Sequence, residues 1–300
     1  MIYTLTLNPA IDYVMRVENF KSGEVNRAGE VSLMAGGKGI NVSIMLKNLG
    51  EKSVALGVAA GFTGKEIERL LQNDGVKCDF VWLKDGNSRI NAKLKVGCET
   101  EINAPGPKIE EDTVKKLYKK IDKLKKGDYL VMAGSVPKGF PEAIYQDILE
   151  RLSKKEINAV VDAEGKLLLD TLKYRPFLIK PNHHELGELF DVEIEDKETA
   201  IKYAKELCKM GARNVLVSMS SKGAVLVTQS GEVVSGDAPK GTLVNSTGAG
   251  DSMVAGFIKG YILDGEPKTA FKYGVCAGSA TAFSEGIGTG EMVEEIMMKN

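Results

Sequence analysis

The chain is predicted to adopt an α/β fold, in which a mainly parallel sheet lies between two layers of helices. Short apolar runs, typical of buried strands, alternate with amphipathic segments rich in lysine and glutamate. Glycines at positions 50, 75 and 211 follow three of these segments, as expected where helices end. With 300 residues, 43% of them hydrophobic, the chain is long enough for one large domain or two smaller ones. We expect one domain over residues 1–300, because no shift in composition marks a second.

Each element is predicted from its hydrophobic pattern. Strands are expected where a short apolar run lies between turn residues, at 2–7, 53–57, 128–133, 159–162, 177–180, 215–218 and 224–228. Helices are expected where the pattern is amphipathic or alternates small and apolar residues, at 40–49, 64–74, 110–124, 141–154, 197–210, 251–263 and 268–283. The lysine runs between 115 and 126 fit the solvated face of the helix at 110–124.

Two segments, 13–33 and 88–102, break this alternation. Both show strand-like alternation of polar and apolar residues, with turns at 21–23 and Gly97 and no helix between their strands. We expect a small lid sheet, with its strands inserted at about 12–34 and 87–103. A sheet with one apolar face must cover a pocket, a second subunit or both.

Composition argues against several classes of function. A net charge of −1 provides no basic field for nucleic acid or an anionic membrane surface. The four cysteines are far apart and form no C-x-x-C pair, which argues against a zinc site or a disulfide framework: Cys78, Cys98, Cys208 and Cys276. The sequence shows neither a secretory leader nor an apolar run of about 18 residues. We therefore expect a cytoplasmic protein that binds neither nucleic acid nor membrane.

The strongest functional motif is the segment at 245–252, which precedes a predicted buried helix. Gly248, Ala249 and Gly250 allow backbone N–H groups to approach an anion closely, and the helix adds the positive end of its dipole. Asp251 follows in the first turn of that helix. A carboxylate beside an anion hole suits phosphoryl transfer to an alcohol, because it accepts the alcohol proton while the hole stabilises the moving group.

A second glycine cluster lies at 35–42, before the helix at 40–49. Gly37 and Gly39 would let a ligand approach the backbone, and Lys38 and Asn41 would supply polar contacts. The cluster is not a Walker A loop, because the glycine spacing is wrong and no serine or threonine follows Lys38. A tight turn from strand to helix is the alternative. Because the segment at 245–252 is also present, we favour a ligand loop.

Two further side chains are candidates for the substrate. Asp12 follows the first strand, where a carboxylate can bind sugar hydroxyls, although a cap or turn role is equally common. Arg89 lies on the predicted lid sheet and could bind a phosphate through its planar guanidinium group, although most single arginines are solvated surface residues.

The segment at 180–186 follows an apolar strand. Asn182 and Glu185 share one face if a helix begins here, and a carboxamide with a carboxylate can hold a hydrated Mg²⁺. The alternative is a capping box, which has the same spacing. His183 and His184 point in different directions on a helix, so we do not expect them to bind a metal. The loop at 218–223 could hold nucleotide phosphates through hydroxyls and amides, or could be only a hairpin turn.

Taken together, the chain resembles the ribokinase-like superfamily and, within it, the phosphofructokinase B group of phosphosugar kinases. The resemblance covers essentially the whole chain and rests on the glycine cluster at 36–41 and on the segment at 245–251. The opening at 6–12 and the segments at 88–91 and 100–103 are similar to the phosphosugar branch. So is Asn245, where ribokinases usually carry aspartate.

The resemblance implies a three-layer α/β/α sandwich with a β lid, ATP and Mg²⁺ as cofactors, and a homodimer formed through the lid. It implies Asp251 as the base, an anion hole at 248–250, and Mg²⁺ held at Asn182 and Glu185. Sugar-phosphate contacts are implied at Asp12, Gly37, Lys38, Asn41 and Arg89, with Lys38 and Arg89 on the phosphate. ATP contacts are implied at Lys180, Asn182, Ser218, Ser220, Gly223, Gly248 and Gly250, with the adenine near 277–280.

The implied reaction is ATP-dependent phosphorylation of fructose 1-phosphate at its 6-hydroxyl. Tagatose 6-phosphate and fructose 6-phosphate are alternative acceptors, because the kinases that use them share these motifs. A non-catalytic sugar-phosphate sensor is the alternative from another class. Such sensors tend to lose the base or the anion hole, and both are present here.

Overall fold

The computed structural model describes residues 1–96 and 98–299, so the predicted turn at Gly97 lies outside the described residues. Its strands are β1 (Ile2–Thr6), β2 (Ala10–Arg16), β3 (Glu30–Gly36), β4 (Ser53–Ala59), β5 (Lys77–Trp82), β6 (Arg89–Val96), β7 (Cys98–Asn103), β8 (Tyr129–Ala133), β9 (Asn158–Asp162), β10 (Leu178–Ile179), β11 (Asn214–Ser218), β12 (Ala224–Thr228) and β13 (Val233–Gly236).

The helices complete the set of elements. They are α1 (Lys38–Asn48), α2 (Gly61–Asn73), α3 (Glu111–Ile121), α4 (Ile144–Leu152), α5 (Gly165–Leu169), α6 (His183–Phe190), α7 (Lys197–Met210), α8 (Ala249–Asp264), α9 (Pro267–Ala282) and α10 (Gly290–Lys299). Within the described ranges, no helix is long and apolar enough to cross a membrane.

The large sheet has nine strands in the order β13-β12-β11-β10-β9-β8-β1-β4-β5. Every pairing from β5 to β11 is parallel, and β12 and β13 are added antiparallel at one edge. Successive strand residues enter opposite cores, as in β8, where Leu130 and Met132 pack on one side and Val131 and Ala133 on the other. The predicted sheet with helices on both faces is therefore present.

Helix α1 lies directly against the end of β1 because its first turn is built from glycine. A Cβ atom on Gly37 would come within 2.7 Å of Thr6 Cγ2, and one on Gly39 within 2.6 Å of Thr6 Oγ1 and 2.9 Å of the Leu5 carbonyl oxygen. The glycine cluster at 35–42 therefore forms the tight turn from strand to helix that the sequence analysis gave as the alternative to a ligand loop. It also brings the start of α1 to the carboxyl end of β1, where α/β folds bind ligands.

The small sheet has the order β3-β2-β6-β7. Its register places polar side chains of Asp12, Asn91 and Lys93 on one face, because paired and alternate residues share a face. The other face is apolar and includes the exposed residues Val31, Leu33, Ile90 and Ile102, of which Ile102 is 61% exposed. The sheet thus presents its polar face to a cavity beside α1.

Candidate active site

The first turns of α1 and α8 meet beside the end of β1. The N-caps are Gly37, at φ 127°, and Gly248, at φ 81°, and such positive φ angles favour glycine. Because glycine has no side chain with which to cap a helix, first-turn N–H groups can serve an anion. Asn41 Nδ2 in α1 donates a 2.8 Å hydrogen bond to Asp251 Oδ2 in α8, which joins the two turns.

Asp251 is buried at the third position of α8. Burial raises the pKa of its carboxyl group, and the neighbouring Asp162 carboxylate raises it further. The Asn41 hydrogen bond and the Lys180 and Lys38 ammonium groups lower the same pKa, but the net direction is upward. A carboxylate with a raised pKa is a stronger base near neutral pH than an ordinary aspartate.

Asp162 belongs to this site and was not among the predicted residues. It is 2% exposed at the end of β9, and its Oδ1 lies 3.5 Å from Lys38 Nζ and 3.6 Å from Lys180 Nζ. Among the described residues, its Oδ2 has no hydrogen-bond partner. The signal that could have identified it is the one used for Asp12, a carboxylate at the carboxyl end of a predicted strand.

Lys180 faces the predicted anion hole. A Cβ atom on Gly250 would lie 3.0 Å from Lys180 Nζ, so the ammonium group lies against the first turn of α8. The Ala249 N–H already donates to the Ser246 carbonyl at 3.2 Å, which leaves the Gly248 and Gly250 amides as the better candidates for the hole. Helix dipole, amides and ammonium group together favour an anion at this position.

Lys38 also lies among the buried carboxylates. Burial lowers the pKa of its ammonium group, but Asp162, Asp251 and other nearby carboxylates outweigh burial, so the net pKa is raised. Lys38 therefore stays charged near neutral pH. It lies beside Asp162 and Glu164, with Nζ 3.5 and 3.8 Å from their carboxylate oxygens.

A cavity of about 460 Å³ opens between the polar face of the small sheet, α1 and the loops at 245–247 and 285–287. Asp12 and Asn41 line it, as do three lysines that were not predicted: Lys47, Lys93 and Lys95. Lys38 and Arg89 lie outside the set of described residues that line it. The cavity combines apolar side chains with hydrogen-bonding groups of the kind that sugars need.

Asp12 and Arg89 lie at the base of the small sheet. Asn91 Nδ2 donates to Asp12 Oδ1 at 2.9 Å, and Lys93 Nζ lies 3.2 Å from Asp12 Oδ2. Arg89 Nε donates to the Asn8 carbonyl at 3.1 Å, and burial lowers the pKa of its guanidinium group. Arg89 is thus a half-buried, anchored side chain and not a freely solvated surface arginine.

Asn182 and Glu185 form the capping box that the sequence offered as an alternative. Asn182 Oδ1 accepts from the Glu185 amide at 2.9 Å, and Glu185 Oε2 accepts from the Asn182 amide at 2.8 Å. Across the described part of the chain, no group of three or more histidine, cysteine, aspartate or glutamate side chains could hold a metal ion. A role in holding Mg²⁺ stays a prediction, one that would have to work through water ligands.

The loop at 218–223 lies next to this cap. Asn182 pairs with Ser218 across an isolated bridge, and the Ser218 amide donates to the Pro181 carbonyl at 3.2 Å. The loop is a hairpin turn between antiparallel β11 and β12, in which Ser220 and Gly223 have positive φ angles of 51° and 88°. The predicted ATP-phosphate segment at 180–185 therefore contacts the other two, 218–223 through Asn182 and 248–250 through Lys180.

Comparison with known proteins identifies the family. The model of the pfkB family of carbohydrate kinases matches residues 5–294. The chain belongs to this family. It is 46% identical to a 1-phosphofructokinase of Bacillus subtilis, over 99% of this chain and 97% of that relative. A D-tagatose-1-phosphate kinase of Bacillus licheniformis is 37% identical, over 96% of this chain and 94% of the relative.

A solved structure shows the same architecture. Escherichia coli phosphofructokinase-2, crystallised in complex with fructose-6-phosphate, matches with a TM-score of 0.92 and 28% identity, covering 99% of this chain and 98% of that one. The predicted fold class, an α/β sandwich with a small second sheet, is confirmed. Family membership and these relatives also confirm the prediction of an ATP-dependent sugar-phosphate kinase.

Proposed function

We propose that this pfkB kinase phosphorylates fructose 1-phosphate at its 6-hydroxyl and that Asp251 is the general base. The observation that carries the proposal is the buried Asp251, tied to Asn41 at the first turn of α8 and facing two lysines. The similarity to a 1-phosphofructokinase over nearly the whole chain supports the choice of acceptor.

The reaction forms a bond between the sugar O6 and the γ-phosphorus of ATP and breaks the bond from that phosphorus to the β-phosphate oxygen. The O6 proton passes to Asp251, and the breaking bond leaves its electron pair on ADP. Asp12 and Asn41 orient the sugar, while the Gly248 and Gly250 amides and Lys180 stabilise the transferred phosphoryl group. The resemblance implied that Lys38 holds the phosphate of the substrate; because Lys38 pairs with Asp162 and does not line the cavity, we instead propose that it stabilises the transferred phosphoryl group.

The other predicted contacts complete the proposal. Arg89 holds the phosphate that the substrate already carries, and Gly37 allows the sugar to approach the start of α1. The loop at 218–223 holds the phosphates of ATP, with Ser218, Ser220 and Gly223 as contacts. These assignments rest on the family resemblance, because none of these residues is among the described residues that line the cavity.

Asn182 and Glu185 suit Mg²⁺ through water ligands. The cap uses Glu185 Oε2, and among the described residues no hydrogen bond to Oε1 is seen, so this oxygen can accept from a metal-bound water. Bound Mg²⁺ would neutralise charge on the ATP phosphates. The residues of this chain hold that water in position, since the capping box fixes the Glu185 carboxylate.

The experiment is a coupled ATPase assay with fructose 1-phosphate, tagatose 1-phosphate, tagatose 6-phosphate and fructose 6-phosphate as acceptors. We expect the highest kcat/KM with fructose 1-phosphate. A preference for tagatose 1-phosphate, the acceptor that the name of the second relative indicates, would replace the substrate and keep the site. Binding of a sugar phosphate without ATP consumption would instead favour a sensor.

We also propose that a second copy of the chain covers the apolar face of the small sheet. Val31, Leu33, Ile90 and Ile102 are each more than two-fifths exposed on this face. Exposed apolar patches of this kind are typical of protein interfaces. The expected assembly is a homodimer formed through the lid.

A further inference from the structure

Lys93 is a buried charge whose role the proposed function does not explain. It lies in β6 on the polar face of the small sheet, with only 6% of the residue exposed. Its Nζ atom lies 3.2 Å from Asp12 Oδ2 and 3.1 Å from Glu101 Oε1. Burial of an ammonium group is costly unless carboxylates pair with it, and these two carboxylates do so.

The electrostatics keep Lys93 charged. Burial lowers the pKa of its ammonium group, whereas Asp12 and Glu101 raise it, and the net pKa is above the usual value. Lys93 therefore stays charged throughout the neutral range, with its Nζ atom against Asp12 Oδ2. Because Lys93 and Asp12 both line the 460 Å³ cavity, this ion pair faces the proposed sugar site.

Asp12 is held on three sides. Lys93 contacts Oδ2, and Asn91 Nδ2 donates to Oδ1 at 2.9 Å. Gly36 closes the third side, because a Cβ atom there would lie 2.6 Å from the Asp12 carboxyl carbon. An ionised carboxylate has roughly four lone-pair sites, and two of them are used here, so about two are left for a ligand. Their directions are set by the protein.

Hydrogen-bond acceptor atoms whose lone pairs have fixed directions can distinguish the two configurations of a sugar carbon. Fructose and tagatose differ only at C4, where the hydroxyl group points to opposite sides of the carbon chain. A carboxylate that could swing would follow either hydroxyl, whereas a fixed one leaves the wrong epimer with an unpaired polar group. Relatives of this chain include kinases named for each sugar, so the family accepts both configurations.

We propose that Lys93 is a positioning residue that fixes the Asp12 carboxylate and thereby makes the enzyme select the C4 configuration of its acceptor. This inference rests on the proposed function, because it takes the acceptor to be a ketose phosphate bound at Asp12. Lys93 acts through Asp12 and not on the reacting atoms.

The test compares the wild type, Lys93→Met and Lys95→Met with two pairs of C4 epimers, the 1-phosphates and the 6-phosphates of fructose and tagatose. Lys95 is the matched control, because it lies two residues further along the same strand and lines the same cavity. For Lys93→Met we expect KM for the preferred epimer to rise and its preference in kcat/KM to shrink by about tenfold or more. Lys95→Met should keep the preference.

An equal loss on both epimers, with an unchanged preference, would overturn the inference and leave Lys93 a purely structural residue. Thermal melting of each variant shows whether it folds. If Lys93→Met does not fold, Asn91→Ala removes the other hydrogen bond to Asp12 and should also reduce the preference. A different result would refute the proposed function, namely a wild type that does not use fructose 1-phosphate. The epimer pair that the wild type does use then still tests the role of Lys93.

Discussion

Replacing Asp251 by asparagine should stop catalysis and leave the fold intact. The change removes the proposed base but keeps the size of the side chain and an oxygen for the Asn41 hydrogen bond. General base catalysis contributes about 10²–10⁴ in rate, which corresponds to about 3–5 kcal/mol of transition-state stabilisation. We expect kcat to fall by about that factor, while the dissociation constant for ATP stays within about twofold of the wild type.

The same variant should be at least as stable as the wild type. Because the pKa of Asp251 is raised in the folded protein, the stability it contributes is present below the unfolded-state pKa and is lost as pH rises through the folded-state pKa. Asparagine lacks this dependence. The melting temperature of Asp251→Asn relative to the wild type should therefore increase as pH rises, by ~2–4 °C for each 1 kcal/mol.

The assays are steady-state kinetics with fructose 1-phosphate, ATP binding by calorimetry, and thermal melting from pH 5 to 9. Asp147→Asn is the matched control, because it neutralises a carboxylate on α4 that accepts a hydrogen bond from Tyr118. It should retain full turnover. If Asp251→Asn kept more than about a tenth of the wild-type kcat, the assignment of the base would be wrong.

Three other changes have directions that the structure predicts. Lys180→Met should raise the pKa of Asp251 and move the acid limb of the kcat/KM profile to higher pH. Asp162→Asn should lower this pKa and move the acid limb to lower pH. Both shifts are measured in pH–rate profiles of the residual activity. Gly39→Ala forces a Cβ atom against the backbone of β1 and should cost about 1–3 kcal/mol of unfolding free energy, measured by denaturant titration. Ile102→Glu puts a charge on the exposed apolar face and should convert a dimer into monomers in light scattering; an unchanged dimer would refute an interface through the lid.

Features encoded by neighbouring residues could be predicted from the sequence. Helix α7 is predicted with its observed bounds from its amphipathic pattern and from Gly211, which ends it at a φ of 134°. The structure adds that the Asp196 side chain caps its first turn. The loop before α8 was predicted because glycines and a buried helix occur together at 248–263. Both signals are local, so neither depends on the tertiary fold.

Some elements have no clear local pattern. Strand β5 contains Lys77, Asp79 and an exposed Trp82, because it lies at the sheet edge and buries only part of its surface. Helix α10 and strand β13 were also missed. For Asn182 and Glu185 one spacing fits both a cap and a metal site, and only the geometry shows that the cap forms.

The buried charges show a second limit of sequence analysis. Lys93 looks like one lysine in an alternating strand, where lysines are usually solvated. It is buried because β2 and β7 bring Asp12 and Glu101 to its two sides. Asp162 likewise becomes a site residue only when β9 ends beside α1 and β10. Lys38 and Asp162 are 124 residues apart in the sequence, and Lys93 is also distant from Asp12, so only the fold brings these partners together.

The charges around Asp251 provide a way to test whether Asp251, and not another group, is the base that titrates in the pH–rate profile. Burial and Asp162 raise its pKa, while Asn41, Lys180 and Lys38 lower it, so removal of either kind of charge shifts the titration in a known direction. If another group accepted the proton, changes at Lys180 and Asp162 would lower the rate without moving the acid limb in opposite directions. Opposite displacements in the two variants therefore require a titrating group that feels both charges, as the Asp251 carboxyl group does.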